Sequence, residues 1–271
     1  MAIQKLAPKI FDKVWGSPLT QPWLANPEGR KVGEIWFSAP DVLPVLVKFL
    51  FTSDCLSVQV HPDDAYAQAR GQIRGKTEMW HILRAEPDAS IALGLRDPVT
   101  KERLRAGALS GEIIDLLQWI PAYAGDTFFV PAGTIHAIGG GLAICEVQQY
   151  SDATYRLFDH QRKPPRELHL EDSLAVARLE PTGDCGHATL LEDGRELLAE
   201  CPYFRAERLA LRGSWECPTS PRPAIYVATS GEGEIAAQPF RAGDTWLVPA
   251  GTPPFVIDGA SVTFIIASGP A

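Results

Sequence analysis

GDTFFVPAGTIHAIGGGLAICE, residues 125–146, is the stretch on which the reading of this chain turns. Gly125-Asp126 reads as a turn and Phe128-Phe129-Val130 as a short strand. Pro131-Ala132-Gly133-Thr134 is a tight turn that joins a residue of fixed φ to one of free φ. Ile135-His136-Ala137-Ile138 then opens the next strand, with an imidazole near its start. A histidine held there by a rigid turn is well placed to ligate a metal. It serves equally well as an ordinary hairpin residue, and the stretch alone leaves both readings open.

A second copy of the motif follows. GDTWLVPAGTPPF at 243–255 aligns without gaps on GDTFFVPAGTIHA at 125–137, with eight of the first ten positions identical. Two copies of one β unit are the direct inference. Pro254 occupies the place of His136, so the turn serves the fold and the histidine is an addition the fold does not need. The composition agrees: of 271 residues, 45% are apolar, 21% charged, 23 are glycine and 23 proline. Many short apolar runs between such breakers predict an all-β, turn-rich protein. Two closed antiparallel barrels or jelly rolls with a few short helices are expected. Residues 1–180 read as a metal-binding, catalytic domain and 181–271 as a smaller one without metal ligands.

The net charge of −8 argues against nucleic-acid or anionic-membrane partners. No apolar run approaches the ~20 residues of a membrane span, and MAIQKLAPKI lacks a signal-peptide core. Five scattered cysteines without a CxxC suit a reducing cytoplasm, with buried thiols rather than disulfides.

Along the chain, Val45 to Phe51 reads as a buried strand and Glu34 as an edge-strand carboxylate. In DCLSVQVHPDD (54–64), Ser57, Gln59 and His61 share one strand face and Val58 and Val60 the other, so the polar side is either solvated or lines a cavity. Asp63-Asp64 caps a short helix over DDAYAQAR. In GKTEMWHIL (75–83), Lys76, Glu78, Trp80 and Ile82 share a face opposite His81, which reads as structural. Asp97-Pro98 is expected to supply the N-cap and first-turn proline of a helical region from about Thr100 to Leu117, broken near Ser110-Gly111. Residues 167–179 return to a helical or mixed pattern, and EPTGDCGHATLLEDG (180–194) is the linker candidate. His160, His169 and His187 read as surface histidines.

Gln59, His61, Glu78 and His136 thus come from three strands with phases that allow all four to face one interior. Two imidazoles, a carboxylate and an amide are costly to bury for packing alone. Around a divalent cation they make sense, and zinc, non-haem iron, manganese and cobalt all suit a thiolate-free N/O set.

SVQVHPDDAYA, GKTEMWHIL, GDTFFVPAGTIHAIGGG and EVQQYSDATYRLFD, with KVWG and GEIWFS before them, together resemble the type I mannose-6-phosphate isomerases of the cupin superfamily. The likeness covers about residues 10–175 closely and the remainder more loosely. It implies one zinc ion held by Gln59, His61, Glu78 and His136, and a catalytic arginine at Arg156. Lys76, Glu146 and Asp152 match polar active-site positions. Ser57, Lys76 and Arg156 are the expected substrate contacts. The chain has no room for the helical insertion of the larger members and resembles the short bacterial form.

The implied chemistry is aldose–ketose isomerisation of a sugar phosphate through a cis-enediol, in a cytoplasmic monomer or homodimer. A cation polarises the oxygens and Arg156 holds the enediolate. Glu146, Asp152 or Lys76 moves the proton. Two alternatives from other classes are a non-catalytic sugar-binding cupin and an iron-dependent cupin dioxygenase. Gln59 as fourth ligand does not belong to the histidine-rich set of the latter.

Overall fold

The structure, a computed structural model, describes residues 2–26, 28–182, 188–219 and 221–270. Cys185 and His187, and with them the middle of the expected linker, lie outside the described residues. Strands account for 47% of the described residues and helices for 10%, in line with the breaker-rich composition. No helix among the described residues is long and apolar enough to cross a membrane.

The backbone packs as two compact units that alternate along the sequence. One holds residues 1–51, 144–150 and 186–271, and the other 52–143 and 151–185. The central unit, 52–143 with 151–185, contains a five-stranded antiparallel sheet in the order Tyr155–Phe158, Val58–Val60, His136–Ile138, Ser90–Leu95, Leu117–Pro121. A further pair joins Glu78–Ala85 to Thr127–Val130. The valines of the Ser57–His61 run do face the core: Val58 and Val60 are fully buried beside Ala92, Leu95, Leu104, Ile135 and Leu157.

Helices cover part of this sheet. Asp64–Ala69 is capped by Asp63, whose side chain accepts the Tyr66 N–H, as its sequence predicts. The next helical region is divided into Lys101–Ser110 and Ile113–Leu116. Its N-cap is Thr100 rather than Asp97, because the Thr100 hydroxyl reaches the Arg103 N–H at 3.1 Å and leaves Pro98 upstream of the first turn. Gly111, at φ 93°, ends the first segment, and Leu117 already begins a strand. Helix Leu170–Val176 follows in the mixed stretch.

In the other unit, strands run in the order Gln4–Lys5, Thr245–Val248, Ala224–Ser230, Phe255–Ser268, Arg205–Cys217, Glu196–Glu200, Thr189–Leu190. The end of the expected linker is therefore an edge hairpin, Thr189–Leu190 on Glu196–Glu200. Strands Lys9–Ser17, Val32–Ala39 and Leu43–Phe51 pair in that order. Glu34 is consequently not on an edge strand. Its strand is hydrogen-bonded on both sides, and its buried carboxylate meets Lys13 at 3.1 Å and the Trp36 indole N–H. Burial alone pushes this carboxyl up, but the charges of Lys48 and Lys13 outweigh it and hold it below the ordinary range.

The two motif copies repeat at the level of single hydrogen bonds. Asp126 Oδ2 accepts the Tyr123 N–H at 2.8 Å, and Asp244 Oδ2 accepts the Arg241 N–H at 3.1 Å. Thr134 N–H meets the Pro131 carbonyl at 3.1 Å and Thr252 N–H the Pro249 carbonyl at 3.3 Å. Gly125 and Gly243 adopt φ of 97° and 95°, which an L side chain reaches only with strain. A Cβ at Gly125 would meet nothing within 4 Å, whereas at Gly243 it would lie 2.1 Å from the Trp23 carbonyl oxygen. Gly125→Ala is expected to cost about 1–2 kcal/mol. Gly243→Ala should cost clearly more, read as denaturant midpoints. Equal losses would mean that the Trp23 carbonyl does not press on the second copy.

Candidate metal centre

Register brings the site together. Strand Val58–Val60 lies between His136–Ile138 and Tyr155–Phe158, with Gln59 opposite His136 on one side and opposite Arg156 on the other. Directly paired residues of antiparallel strands project to the same side. Arg156, Gln59 and His136 therefore form one row, with outer backbones about 10 Å apart at some 4.8 Å per strand. His61 follows the middle strand, and its carbonyl accepts the Gly133 N–H at 2.8 Å. The Pro-Gly turn that precedes His136 thus also anchors the backbone of His61. Glu78 opens its strand opposite Val130. The loop before it is tied back to the histidine segment, with Lys76 N–H on the Pro62 carbonyl at 2.9 Å and Gly75 N–H on Asp64 Oδ1 at 2.8 Å. Gly75 has to be glycine there, since a Cβ would sit 2.5 Å from the Pro62 oxygen.

His61, Glu78 and His136 are at most 1% exposed. Glu78 Oε1 lies 3.6 Å from His61 Nε2 and 3.6 Å from His136 Nε2, too far for hydrogen bonds. Ligands about 2.1 Å from a common cation at tetrahedral angles stand roughly 3.4 Å apart, so the triangle has the size of a coordination face. Each imidazole is set from behind by a backbone carbonyl: His61 Nδ1 contacts Ala153 O at 2.8 Å and His136 Nδ1 contacts Thr134 O at 2.9 Å. A carbonyl only accepts, so the proton sits on Nδ1 and the Nε2 lone pairs converge on the carboxylate. The Gln59 amide reaches His136 Nε2 at 3.2 Å, and Trp80 meets the His136 ring edge to face at 5.3 Å.

The electrostatics agree with this tautomer. Burial, with the Lys76 charge adding to it, pulls the His61 imidazole down to about 3. Burial likewise lowers His136. Burial would raise the Glu78 carboxyl, but Lys76 and the imidazoles overcome it and hold it well below the usual range. Two neutral imidazoles thus face one carboxylate, whose Oε2 is ion-paired to Lys76 Nζ at 2.9 Å. His61 Nε2 and Glu78 Oε1 are buried without a hydrogen-bond partner. Such orphaned atoms cost about 1–3 kcal/mol each, and a divalent cation at their centre supplies what they lack. This donor set fits a metal ion, and among the described residues it is the one such cluster of three or more His, Cys, Asp or Glu.

The other candidates fall as follows. Ser57 Oγ donates to Gln59 Oε1 at 3.3 Å, on the face expected for it. Arg156 is half-buried; its backbone N–H donates to His169 Nδ1 at 3.2 Å, so His169 is a specific support rather than a free surface residue. His160 is also held, with Nε2 on the Leu56 carbonyl at 2.8 Å. Asp152 is exposed. His81 Nδ1 meets the Thr127 hydroxyl at 2.9 Å, in the structural role read for it. Glu146 lies in the other unit, on strand Leu142–Gln149, in a buried ion pair with Lys48 Nζ at 3.1 Å. Lys48 also stacks over Trp36 at 4.7 Å. Neither Lys48 nor the carbonyls of Ala153 and Thr134 were singled out from the sequence. A carbonyl has no side-chain signature, and Lys48 stood inside an apolar run, LPVLVKFLF, as the lone polar residue that could have marked it.

No protein-family model matches the chain. It is 38% identical over 232 residues to the mannose-6-phosphate isomerase ManA of Bacillus subtilis, across 81% of this chain and 73% of that protein. The structure resembles the crystal structure of the mannose 6-phosphate isomerase from Bacillus subtilis with a TM-score of 0.87 at 26% identity, over 98% of this chain and 99% of that one. A zinc-bound mannose 6-phosphate isomerase shares the fold with a TM-score of 0.78 at 16% identity, over the full length of both chains.

The neutral, buried imidazoles make a pH prediction for the metal-free protein. The unfolded chain takes up protons on His61 and His136 near 6.5, whereas burial holds both imidazoles of the folded chain below that value, His61 down to about 3. Stability is therefore complete above about pH 6.5 and falls as pH drops toward the folded values, by up to about 1.4 kcal/mol per pH unit for each imidazole. Denaturant midpoints of chelated protein between about pH 6.5 and 5, above the ordinary carboxyl range, should decline and should decline less in His61→Leu. A flat profile would show that the imidazoles titrate normally.

Proposed function

The chain belongs to the mannose-6-phosphate isomerase family, and on that premise we infer that it is a metal-dependent aldose–ketose isomerase interconverting mannose 6-phosphate and fructose 6-phosphate. The observation that carries the reading is the convergence of His61 Nε2, His136 Nε2 and Glu78 Oε1, with both imidazoles set through Nδ1 on backbone carbonyls. We propose zinc as the metal, with Gln59 turning its amide oxygen inward as fourth ligand. Its present contact with His136 Nε2 and the zinc-bound fold relative support that choice. We propose further that residues 1–180 form the metal-binding cupin and residues 181–271 a second cupin without metal ligands, a division that rests on the repeated turn and on Pro254 in place of His136.

A divalent cation held there supplies Lewis-acid polarisation of the substrate's carbonyl and hydroxyl oxygens. The chain's own residues do the rest. Arg156 stands in the same row as Gln59 and His136, and its fixed positive charge meets the negative oxygen of the cis-enediolate that forms as the proton leaves C2. Lys76 keeps Glu78 anionic through their ion pair and offers N–H donors to a sugar hydroxyl or the phosphate. Ser57 Oγ, now on Gln59 Oε1 at 3.3 Å, accepts the amide N–H once the oxygen turns inward. Proton transfer between C1 and C2 falls to Glu146, Asp152 or Lys76; Glu146 is ion-paired with Lys48 at 3.1 Å.

Purified protein with fructose 6-phosphate should yield mannose 6-phosphate, and chelation should abolish the conversion until zinc is restored. Turnover that survives complete metal removal would sink the metal-centred reading. His136→Ala should lose both metal and activity. Arg156→Ala should keep the metal and lose about 10²–10³-fold in kcat, measured as zinc content beside steady-state rates. Normal turnover of Arg156→Ala would remove the arginine from the chemistry.

A further inference from the structure

The C-terminal β unit carries a half-open pocket of about 290 Å³, whose lining includes Arg195, Arg205, Arg222, Glu207, Trp215 and Tyr226. This volume is near that of the smaller ligand pockets. Strand register locates it within the repeat. In the first copy Glu78 pairs with Val130 and Trp80 with Phe128. In the second Ala224 pairs with Val248 and Tyr226 with Trp246. Val130 and Val248 are the same position of the repeated motif, so Ala224 stands where Glu78 stands, Tyr226 where Trp80 stands and Pro254 where His136 stands. Ala224 and Tyr226 both open onto the cavity. The second copy thus carries a methyl group where the first has the Glu78 carboxylate, and the space beside it stays open; the place of His136 is taken by the exposed Pro254.

The groups around that space have a different chemistry from the first copy. Three guanidinium groups share the lining with one carboxylate, Glu207, which is itself 5% exposed. Glu207 takes Arg195 on one oxygen and Arg205 Nε on the other at 2.7 Å. From outside, Asp193 holds Arg195 Nε at 2.8 Å and Glu200 holds Arg205 Nη1 at 2.9 Å. These pairs, with Arg195 Nη2 on Asp193 at 2.6 Å, engage all three nitrogens of Arg195 and two of Arg205, and they fix both guanidinium planes in advance. A guanidinium held in this way offers a charged N–H donor to one oxygen of a carboxylate or phosphate. Trp215 and Ile266 add an apolar wall.

Cys217 Sγ and the Tyr226 hydroxyl lie 3.1 Å apart, and burial pushes both groups up so that they stay protonated. A protonated thiol, a phenol and one ion-paired carboxylate make no metal-binding set.

We infer that this cavity is a metal-free binding site for a small organic oxyanion, a phosphate monoester or a carboxylate with a flat apolar body. The inference stands on the C-terminal unit alone and does not depend on the isomerase reading. It is tested by calorimetric titration of the full-length, zinc-loaded protein with phenyl phosphate and, separately, with benzoate. One molecule of at least one probe should bind per chain at concentrations below about 10 mM, and the tighter of the two identifies the oxyanion. Binding should weaken about tenfold or more in Arg222→Gln, whose side chain lies on a surface loop, and in Ala224→Leu, which fills the space. Both variants should keep the wild-type unfolding midpoint within a few degrees and the wild-type rate on fructose 6-phosphate. Absence of binding by either probe overturns the inference. So does unaltered binding in folded Arg222→Gln. Binding lost in Arg156→Ala and kept in the cavity variants would assign the anion to the isomerase centre and likewise overturn it.

Discussion

Three buried atoms, two imidazole nitrogens and a carboxylate oxygen, converge at 3.6 Å without a hydrogen bond among them, and the central unit is arranged to keep them there. Left to themselves such atoms would swing toward any donor or toward water. The backbone prevents it from behind. Carbonyls of Ala153 and Thr134 fix the imidazoles, the Gly133 N–H fixes the main chain of His61, and Lys76 fixes the carboxylate. The cost of desolvating an unpaired carboxylate is offset by Lys76, and that of the lone pairs is left for a cation to offset. A site of this kind is held to its dimensions by second-layer contacts rather than by its ligands, which is the general condition for a metal centre with room for substrate.

The repeated turn separates scaffold from chemistry. Both copies keep the aspartate-capped entry, the strand ending in valine, the left-handed glycine and the threonine N–H on the proline carbonyl. They differ at the positions of Glu78, Trp80 and His136, where the second copy has the buried Ala224 and Tyr226 and an exposed Pro254. The same frame therefore presents two donor-lined interiors of different character, one with neutral imidazoles and a carboxylate, the other with guanidinium groups and an aromatic wall. Because the turn binds its own backbone, the same turn carries different side chains at the neighbouring positions.

Charge is apportioned in the same way. A net charge of −8 describes the chain as a whole, yet the interior sites are locally balanced or basic. Lys76 beside Glu78, and Lys48 with Lys13 beside Glu34, hold those buried carboxyls below the ordinary range, while Lys48 beside Glu146 and the arginines around Glu207 form ion pairs with buried carboxylates. For an enzyme of sugar phosphates the local sign matters more than the total, since field lines in a cleft follow the nearest charges.

The β class, the repeat and the four candidate donors are legible along the chain, because strand alternation and self-similarity are written in residue order. Alternation along a strand put Gln59 and His61 on one face and Glu78 opposite His81, and an ungapped repeat marked His136 as dispensable to the turn. The same local reading missed where the partner was distant. Thr100 capped the helix in place of Asp97 since capping depends on which hydroxyl reaches the first-turn N–H. Glu34 proved to lie between two strands because edge position is a property of the sheet. Packing sets Arg156 in the row of Gln59 and His136, aims the Ala153 and Thr134 carbonyls at the imidazoles and brings Lys48 to Glu146. Strand register, backbone carbonyl direction and long-range ion pairs arise from packing, and no pattern along the chain encodes them one residue at a time.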